Sequence, residues 1–172
     1  PFTIKALTIP KNGYATIISS ESKLSLNNDS DKARLFDPKG VIQDEIYYED
    51  AKSGYSLARK DETQWYWTDF PTKGETNMEI IENVEDDSPA EESAAKEKSK
   101  EENKIYQDGD ISDELEITET LPNPDGTDTG SEWIEIHNNS DENINMGNWQ
   151  LDDSENGSKP YTFSDETTIN KN

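Results

Sequence analysis

The two ends of the chain carry the same sequence pattern, and this repeat restricts the possible folds more than any other feature. The chain opens with "PFTIKALTIPKN" and closes with "PYTFSDETTINKN". Aligning Pro1 with Pro160 gives a period of 159 residues (160 minus 1), and one gap then brings Thr8 onto Thr168. We therefore expect the later part of one repeated unit, followed along the chain by the earlier part of the next unit.

The composition predicts folded segments joined by a solvated acidic stretch. Hydrophobic residues make up 29% of the chain and charged residues 32%, and the formal net charge is −23. A uniform chain of this kind would tend toward disorder, because it could not bury enough apolar surface. The aromatic residues, however, cluster mostly in 1–80 and 133–163, which is where we expect the core.

Charge and cysteine content exclude several functional classes. With 39 acidic against 16 basic residues, the chain lacks the basic surface that nucleic acids or anionic membranes require. Without cysteine it forms no disulfide, zinc–thiolate site or cysteine nucleophile. No apolar run approaches the roughly 18 residues of a membrane span, so we expect no membrane insertion. An acidic surface suits divalent cations or a basic partner.

Residues 1–78 have the pattern of short strands separated by turns. Within 32–48, two strand candidates flank Asp37-Pro38-Lys39-Gly40, which has the Pro and Gly positions of a type I turn. Strands this short, with a turn about every ten residues, favour a β-sandwich or barrel. The other strand candidates of this part are 13–19, 54–60 and 63–70.

Residues 79–113 differ sharply from what precedes them. The stretch 79–104 holds ten acidic residues and four lysines, with almost no apolar residues. Ser88-Pro89-Ala90-Glu91 has the spacing of a helix capping box, so a short helix over about 89–103 is one interpretation. That helix would have no apolar face to bury. We interpret 79–113 as an acidic linker, disordered or partly helical, and an acidic tail for a basic partner is the alternative.

Residues 114–172 return to a β pattern. In "SEWIEIHN" (131–138), Ile134 and Ile136 share one face of a strand, and Glu135 and His137 share the other with Trp133. Between the first two strands, 121–130 has the composition of a loop. The other strand candidates are 114–120, 144–153 and 159–163.

The quoted residues resemble a known family. "EITETLPNPDGTDTGSEWIEIHNNSDENINMGNWQLDD" is similar to the front half of bacterial lamin-tail domains, with their E-W-I-E-I strand and Gly-x-Trp-x-Leu-x-Asp motif. "LSLNNDSDKARLFDPKGVIQDEIYY" resembles the back half of the family. "TKGETN" (72–77) resembles its closing Thr-Pro-Gly-x-x-Asn, with Lys73 where proline is expected. The chain thus divides into a back half (1–78), the linker (79–113) and the front half of a second domain (114–172).

The resemblance implies an all-β, immunoglobulin-like sandwich without catalytic activity or cofactor. It implies a structural or interaction module of a bacterial surface or secreted protein. Such a module acts as a spacer, or binds protein, carbohydrate or neighbouring repeats of its own chain. The alternative is an accessory module of a hydrolase or nuclease whose catalytic domain lies outside 1–172. We also expect the two halves to close into one sandwich in circularly permuted order, because each half alone would leave open strand edges and half a core.

Two acidic loops are candidates for metal binding. Asp125, Asp128 and Glu132 lie close together in a glycine-containing loop, and such oxygen ligands suit calcium, although the spacing is not that of an EF-hand. The alternative is a solvated turn whose aspartates bind backbone amides. The stretch 152–157 is a second acidic turn, for which we expect only a turn or hairpin.

Aromatic residues and the single histidine are the remaining candidates. Trp65, Tyr66 and Trp67 are consecutive, so they must face both sides of a strand, and Trp65 and Trp67 are candidates for stacking on a sugar or peptide. Core packing is the alternative for both rings. His137 has Glu135 on its strand face, but without a nucleophile or second ligand we expect a structural histidine.

Overall fold

The computed structural model describes residues 7–78, 114–126, 130–154 and 157–165. This part of the chain contains eleven strands and one four-residue helix. The first segment carries β1 (Thr8–Ile9), β2 (Tyr14–Ile18), α1 (Ser19–Ser22), β3 (Ser30–Phe36), β4 (Ile42–Glu49), β5 (Ser56–Arg59) and β6 (Trp65–Thr68). The second carries β7 (Leu115–Leu121), β8 (Trp133–Asn138), β9 (Ile144–Asn145), β10 (Gln150–Asp152) and β11 (Tyr161–Thr162).

The strands form two main antiparallel sheets. One has five strands in the order β2-β8-β7-β5-β6, and the other has four in the order β11-β10-β3-β4, while β1 and β9 form a separate pair. A single cluster of buried apolar residues takes members from both main sheets, which therefore pack face to face. The expectation of an all-β, immunoglobulin-like sandwich is confirmed.

Each sheet takes strands from both sides of 79–113. In the five-stranded sheet, β2 pairs with β8 and β5 pairs with β7; in the four-stranded sheet, β3 pairs with β10. The pair β1–β9 also joins the two segments. The first segment, 7–78, therefore completes the sheets of the second, 114–165. That this order is a circular permutation of the family's own order stays a prediction.

The core follows from the alternation of residues along the strands. Ile134 and Ile136 of β8 face inward beside Ala15 and Ile17 of β2, and all four are buried. Across the sandwich they meet the inward residues of the four-stranded sheet, Ala33, Leu35, Ile46, Tyr48 and Leu151. Regular alternation within 131–138 thus correctly placed Ile134 and Ile136 on the same face of β8, which is the inner one.

Strand β7 departs from simple alternation. Its register against β8 shifts between Ile117 and Glu119, so the strand has an irregularity at Thr118. The Asp44 carboxylate accepts the Ile117 amide at 2.6 Å, and the Arg59 guanidinium donates to the Ile117 carbonyl at 2.8 Å. Arg59 also pairs with Asp44 at 2.5 Å. The two side chains of this ion pair thus satisfy the amide and the carbonyl of Ile117, which lie beside the shifted register.

The outer face of the five-stranded sheet is also covered. Trp133 is buried, although it lies on the strand face opposite Ile134 and Ile136. The Lys73 ammonium lies 5.7 Å from the centre of its ring. The segment 71–78 therefore shields a second buried layer, which a simple two-sheet core does not predict.

Some sequence expectations lie outside the described residues. The candidate helix over 89–103 is one, so the interpretation of 79–113 stays a prediction. Within the described ranges, no helix is long and apolar enough to cross a membrane.

Removing a central core side chain should destabilise the whole sandwich. Ile136→Ala deletes a fully buried side chain between β2 and β7, and we expect a loss of about 2–5 kcal/mol in the free energy of unfolding. Urea denaturation followed by tryptophan fluorescence measures this loss. Val41→Ala is the control, because Val41 is 43% exposed and its truncation should cost less than about 0.5 kcal/mol. Equal effects at the two positions would contradict this core.

Candidate functional site

Two fully buried carboxylates form the most unusual site in the described part of the chain. Glu119 of β7 and Glu135 of β8 are register partners, and both are 0% exposed. Burying a charged side chain is costly unless hydrogen bonds compensate it. The donors around this pair therefore determine what the site does.

Glu119 receives its hydrogen bonds from the first segment. The Ser56 hydroxyl donates to its Oε1 at 2.5 Å. The Thr72 amide donates to Oε2 at 3.0 Å, and the Thr72 hydroxyl lies 2.8 Å from the same oxygen. Glu119 thus holds the segment that follows β6 against the sheet.

Glu135 binds the same segment two residues further on. The Gly74 amide donates to its Oε2 at 2.5 Å, and the Thr118 hydroxyl donates to Oε1 at 2.8 Å. Gly74 has a φ of +83°, a left-handed conformation that glycine adopts without steric cost. In this conformation the Gly74 amide is hydrogen-bonded to the Glu135 carboxylate.

Asn77 completes the attachment. Its side-chain amide donates to the Arg59 carbonyl at 3.0 Å and to the Thr118 carbonyl at 2.8 Å, so it bridges β5 and β7. We call Glu119, Glu135, Thr72, Gly74 and Asn77 together the glutamate clasp. The Thr-x-Gly-x-x-Asn spacing of 72–77 is the spacing that these contacts require.

Burial shapes the acidity of this site and of two other carboxyls. It raises the pKa of Glu135, and the nearby Glu119 charge adds to that rise, although the Gly74 and Thr118 hydrogen bonds oppose it. Burial likewise raises the pKa of Asp44 and of Asp152, against the opposing effect of Arg59 and Arg34 respectively. Both clasp carboxylates are closed off from solvent, so a substrate could not contact them in this conformation.

The candidate calcium ligands have separate partners. The Ser53 hydroxyl donates to Asp125 at 2.8 Å. Glu132 is buried, and its Oε1 accepts the Leu26 amide at 3.0 Å. Asp128 lies outside the described residues. Within the described ranges, no group of three histidine, cysteine, aspartate or glutamate residues is placed to hold a metal ion. Calcium binding by Asp125, Asp128 and Glu132 stays a prediction.

The loop around Asp125 approaches the first segment very closely. A β-carbon added to Gly54 would lie 2.8 Å from the Asp125 carboxylate, and Gly54 has a φ of +77°. The Gly54 amide also donates to the Asn123 carbonyl at 2.7 Å. The Asp125 carboxylate therefore packs against the turn at Ser53 and Gly54 of the first segment. Whether its loop also binds backbone amides, as in the alternative interpretation, stays a prediction.

The second acidic turn also has a structural role. Asp153 is buried, and both of its carboxylate oxygens accept the Ser158 amide. Arg34 of β3 donates to the Asp153 carbonyl at 2.8 Å and pairs with Asp152 at 2.9 Å. The turn therefore fastens β10 to β3, which agrees with the expectation of a turn.

Trp65 and Trp67 are half-buried and pack against the core. The Arg59 guanidinium lies 4.4 Å from the centre of the Trp65 ring, and Trp67 meets Tyr48 edge-on at 6.1 Å. Tyr66, between them, donates its hydroxyl to the Met78 carbonyl. Packing thus accounts for both tryptophans, and stacking of a ligand on them stays a prediction.

His137 is held by neighbours on two other strands. Its ring stacks on Tyr14 of β2 at 4.3 Å, and its Nδ1 lies 3.6 Å from the Glu116 carboxylate of β7. The sequence pointed to Glu135 as its partner, but Glu135 belongs to the clasp. The cross-strand register places Glu116 opposite His137, and one sequence cannot show that register.

A polar cleft of about 420 Å³ lies beside α1. Glu132 and the loop 23–28 form part of its wall. Ser19 also lines the cleft, and within the described residues its buried hydroxyl has no hydrogen-bond partner. This cleft was not foreseen, because its wall combines residues far apart in the sequence.

The fold and this site define a class of protein: an immunoglobulin-like β-sandwich, of a kind that is generally non-catalytic. Residues 111–172 match the Lamin Tail Domain family model, which supports the suspected family over this part of the chain. A search of curated proteins found no match, and neither did a search of solved structures. The resemblance of 1–78 to the back half of the family stays a prediction.

Removing one donor of the clasp should destabilise the sandwich. Thr72→Val keeps the shape of the side chain but deprives the buried Glu119 carboxylate of a hydroxyl, so we expect a loss of about 1–3 kcal/mol in unfolding free energy. Thr76→Val is the matched control, because Thr76 is exposed and its hydroxyl accepts a hydrogen bond from Tyr14 at the surface. Urea denaturation compares the two variants. A loss no larger at Thr72 than at Thr76 would show that the clasp contributes little.

The raised carboxyl pKa values predict greater stability at mildly acidic pH. A carboxyl with a raised pKa binds its proton more tightly in the folded state, so stability falls as pH rises from the unfolded pKa through the folded one. We expect the melting temperature to rise as the pH is lowered from 7 toward the ordinary carboxyl pKa of about 4. Glu135→Gln should flatten this dependence, because it removes one titrating group. An unchanged slope in that variant would exclude Glu135 as a contributor.

Proposed function

We propose that the chain is a non-catalytic structural and interaction module of a bacterial protein that is secreted or displayed at the cell surface. It would be one part of an array of similar units joined by acidic linkers. In this role it acts as a spacer, or binds a protein or carbohydrate. The family match over 111–172 and the sandwich fold support the proposal.

The observation that carries the proposal is the use of buried polar groups to join strands. The Glu119 and Glu135 carboxylates accept their hydrogen bonds from groups within the chain, namely Ser56, Thr72, Gly74 and Thr118. Arg34, Asp44 and Arg59 likewise bridge strands. Such contacts suit a module whose task is to hold a shape.

The charge favours certain partners over others. The whole chain carries a net charge of −23, which opposes direct contact with nucleic acid and favours a basic protein surface. Neighbouring units of the same array are also candidate partners, because the sequence repeat indicates that similar units follow one another. A carbohydrate would need exposed aromatic faces, and Trp65 and Trp67 offer only half-buried ones.

The alternative is an accessory module of a hydrolase or nuclease. The same sandwich would then position a catalytic domain encoded outside 1–172. The coding sequence on either side separates the two proposals: further lamin-tail units support the array, and a catalytic signature supports the accessory module.

A turnover and binding panel tests the proposal directly. We expect the full chain to hydrolyse none of a set of glycosides and phosphodiesters, and to bind immobilised basic proteins or bacterial surface glycans. Heat-denatured chain is the control for signals that come from unfolded protein. Turnover by the folded chain would overturn the proposal, and so would an absence of binding combined with a catalytic signature in the flanking sequence.

Calcium binding is a separate proposal for the loop that contains Asp125, Asp128 and Glu132. Extracellular calcium sites have dissociation constants of about 10⁻⁴–10⁻³ M, so 10 mM calcium should raise the melting temperature by several degrees if the site exists. The calcium-induced rise should disappear in Asp125→Asn, and the same concentration of magnesium serves as the control. An unchanged melting temperature in calcium would end this proposal.

A further inference from the structure

The two described ends of the chain meet at one tight turn. Residues 146–149 form this turn, closed by a hydrogen bond from the Trp149 amide to the Met146 carbonyl at 3.0 Å. The Met146 amide donates to the Leu7 carbonyl at 2.9 Å, and the Asn148 amide donates to the Phe163 carbonyl at 2.9 Å. Leu7, near the start of the chain, and Phe163, near its end, are thus held by amides two residues apart.

The C-terminal segment fills a strand position beside this turn. β11 pairs with β10, with Tyr161 opposite Leu151 and Thr162 opposite Gln150. Phe163 is buried to 2% exposure, and its amide donates to the Trp149 carbonyl at 3.0 Å. We call this position, now occupied by 160–163, the β10 slot.

The N-terminal residues repeat the sequence of that occupant. Pro1-Phe2-Thr3-Ile4 and Pro160-Tyr161-Thr162-Phe163 share the order proline, aromatic, threonine, large apolar residue. The slot therefore has two segments of matching pattern within one chain.

The connection from the N-terminal copy to the slot is short enough. Three residue steps separate Ile4 from Leu7, a reach of up to about 10 Å. Leu7 is already bonded to Met146, at the turn where the Phe163 carbonyl is also bound. Pro1–Ile4 could thus enter the slot while β1 stays in its place beside β9.

We propose that the β10 slot is a strand-acceptor site for Pro1–Ile4 of the same chain, which takes the slot when 160–163 leaves it. The sandwich then has two interchangeable closing strands, and exchange releases 160–163 from β10. The inference rests on the sequence repeat and the turn contacts, and it stands whether or not the proposed function is correct.

Truncation after residue 159 tests the exchange. We expect this shortened chain to remain folded and monomeric, with the Asn148 amide still protected from hydrogen exchange, because Pro1–Ile4 replaces the missing strand. Adding Phe2→Asp and Ile4→Asp to the shortened chain should lower its melting temperature by on the order of 10 °C and abolish that protection. In the full chain, the same two substitutions should change the melting temperature by only about 1–2 °C, since 160–163 fills the slot.

Each other outcome overturns the proposal. If the shortened chain loses the same stability with or without the two substitutions, Pro1–Ile4 does not enter the slot. If neither change matters, the slot needs no occupant. If sedimentation shows a dimer of the shortened chain, the occupant comes from a second copy and the same-chain assignment is wrong.

Discussion

The structure depends on hydrogen bonds between two buried carboxylates of one segment and the backbone of the other. Glu119 and Glu135 are on β7 and β8, and their donors Thr72 and Gly74 follow β6 in the first segment. A buried carboxylate left without these donors would cost several kcal/mol. The same contacts that satisfy the glutamates therefore oblige the two segments to fold together.

Strand pairing extends this mutual dependence to both sheets. Without the first segment, β8 would lose β2 and β10 would lose β3, and each would become an open edge. The Arg34–Asp152 ion pair joins the two segments directly. The Asp44–Arg59 pair lies within the first segment, and both of its side chains bind the backbone of Ile117 in the second. The acidic stretch 79–113 connects segments that the fold already holds together by direct contact.

The sequence predicted the parts of this fold that depend on local pattern. Regular alternation identified the inner face of β8, and the Asp37–Gly40 turn lies between β3 and β4, closed by the Gly40 amide and the Asp37 carbonyl. The clasp could not be predicted in the same way. Nothing in the strand pattern marks Glu119 and Glu135 as buried, and the segment 71–78 that covers them is far away in the sequence. The Thr-x-Gly-x-x-Asn spacing resembles the closing motif of the family. The contacts that it makes, however, depend on the register of β7 against β8, which the spacing does not reveal.

The contacts of individual polar residues could not be predicted from the sequence either. His137 contacts Tyr14 and Glu116 through strand register, and Asp125 contacts Ser53 across a loop from the other segment. These pairs are separated by 21 to more than 100 positions in the sequence, so periodicity carries no signal for them. The signal that did reach across such distances was the repeat at the two ends, which predicted that both halves of a sandwich are present.

The most direct test of the account is to cut the chain between its two segments. A specific protease site placed within 79–113 would allow cleavage of the folded protein. We predict that 1–78 and 114–172 then remain together on size exclusion under native conditions, keep the spectrum of the uncut protein, and unfold in one transition whose midpoint depends on concentration. Separation of the fragments after cleavage, with either one keeping its native spectrum alone, would contradict the claim that the two segments form one sandwich.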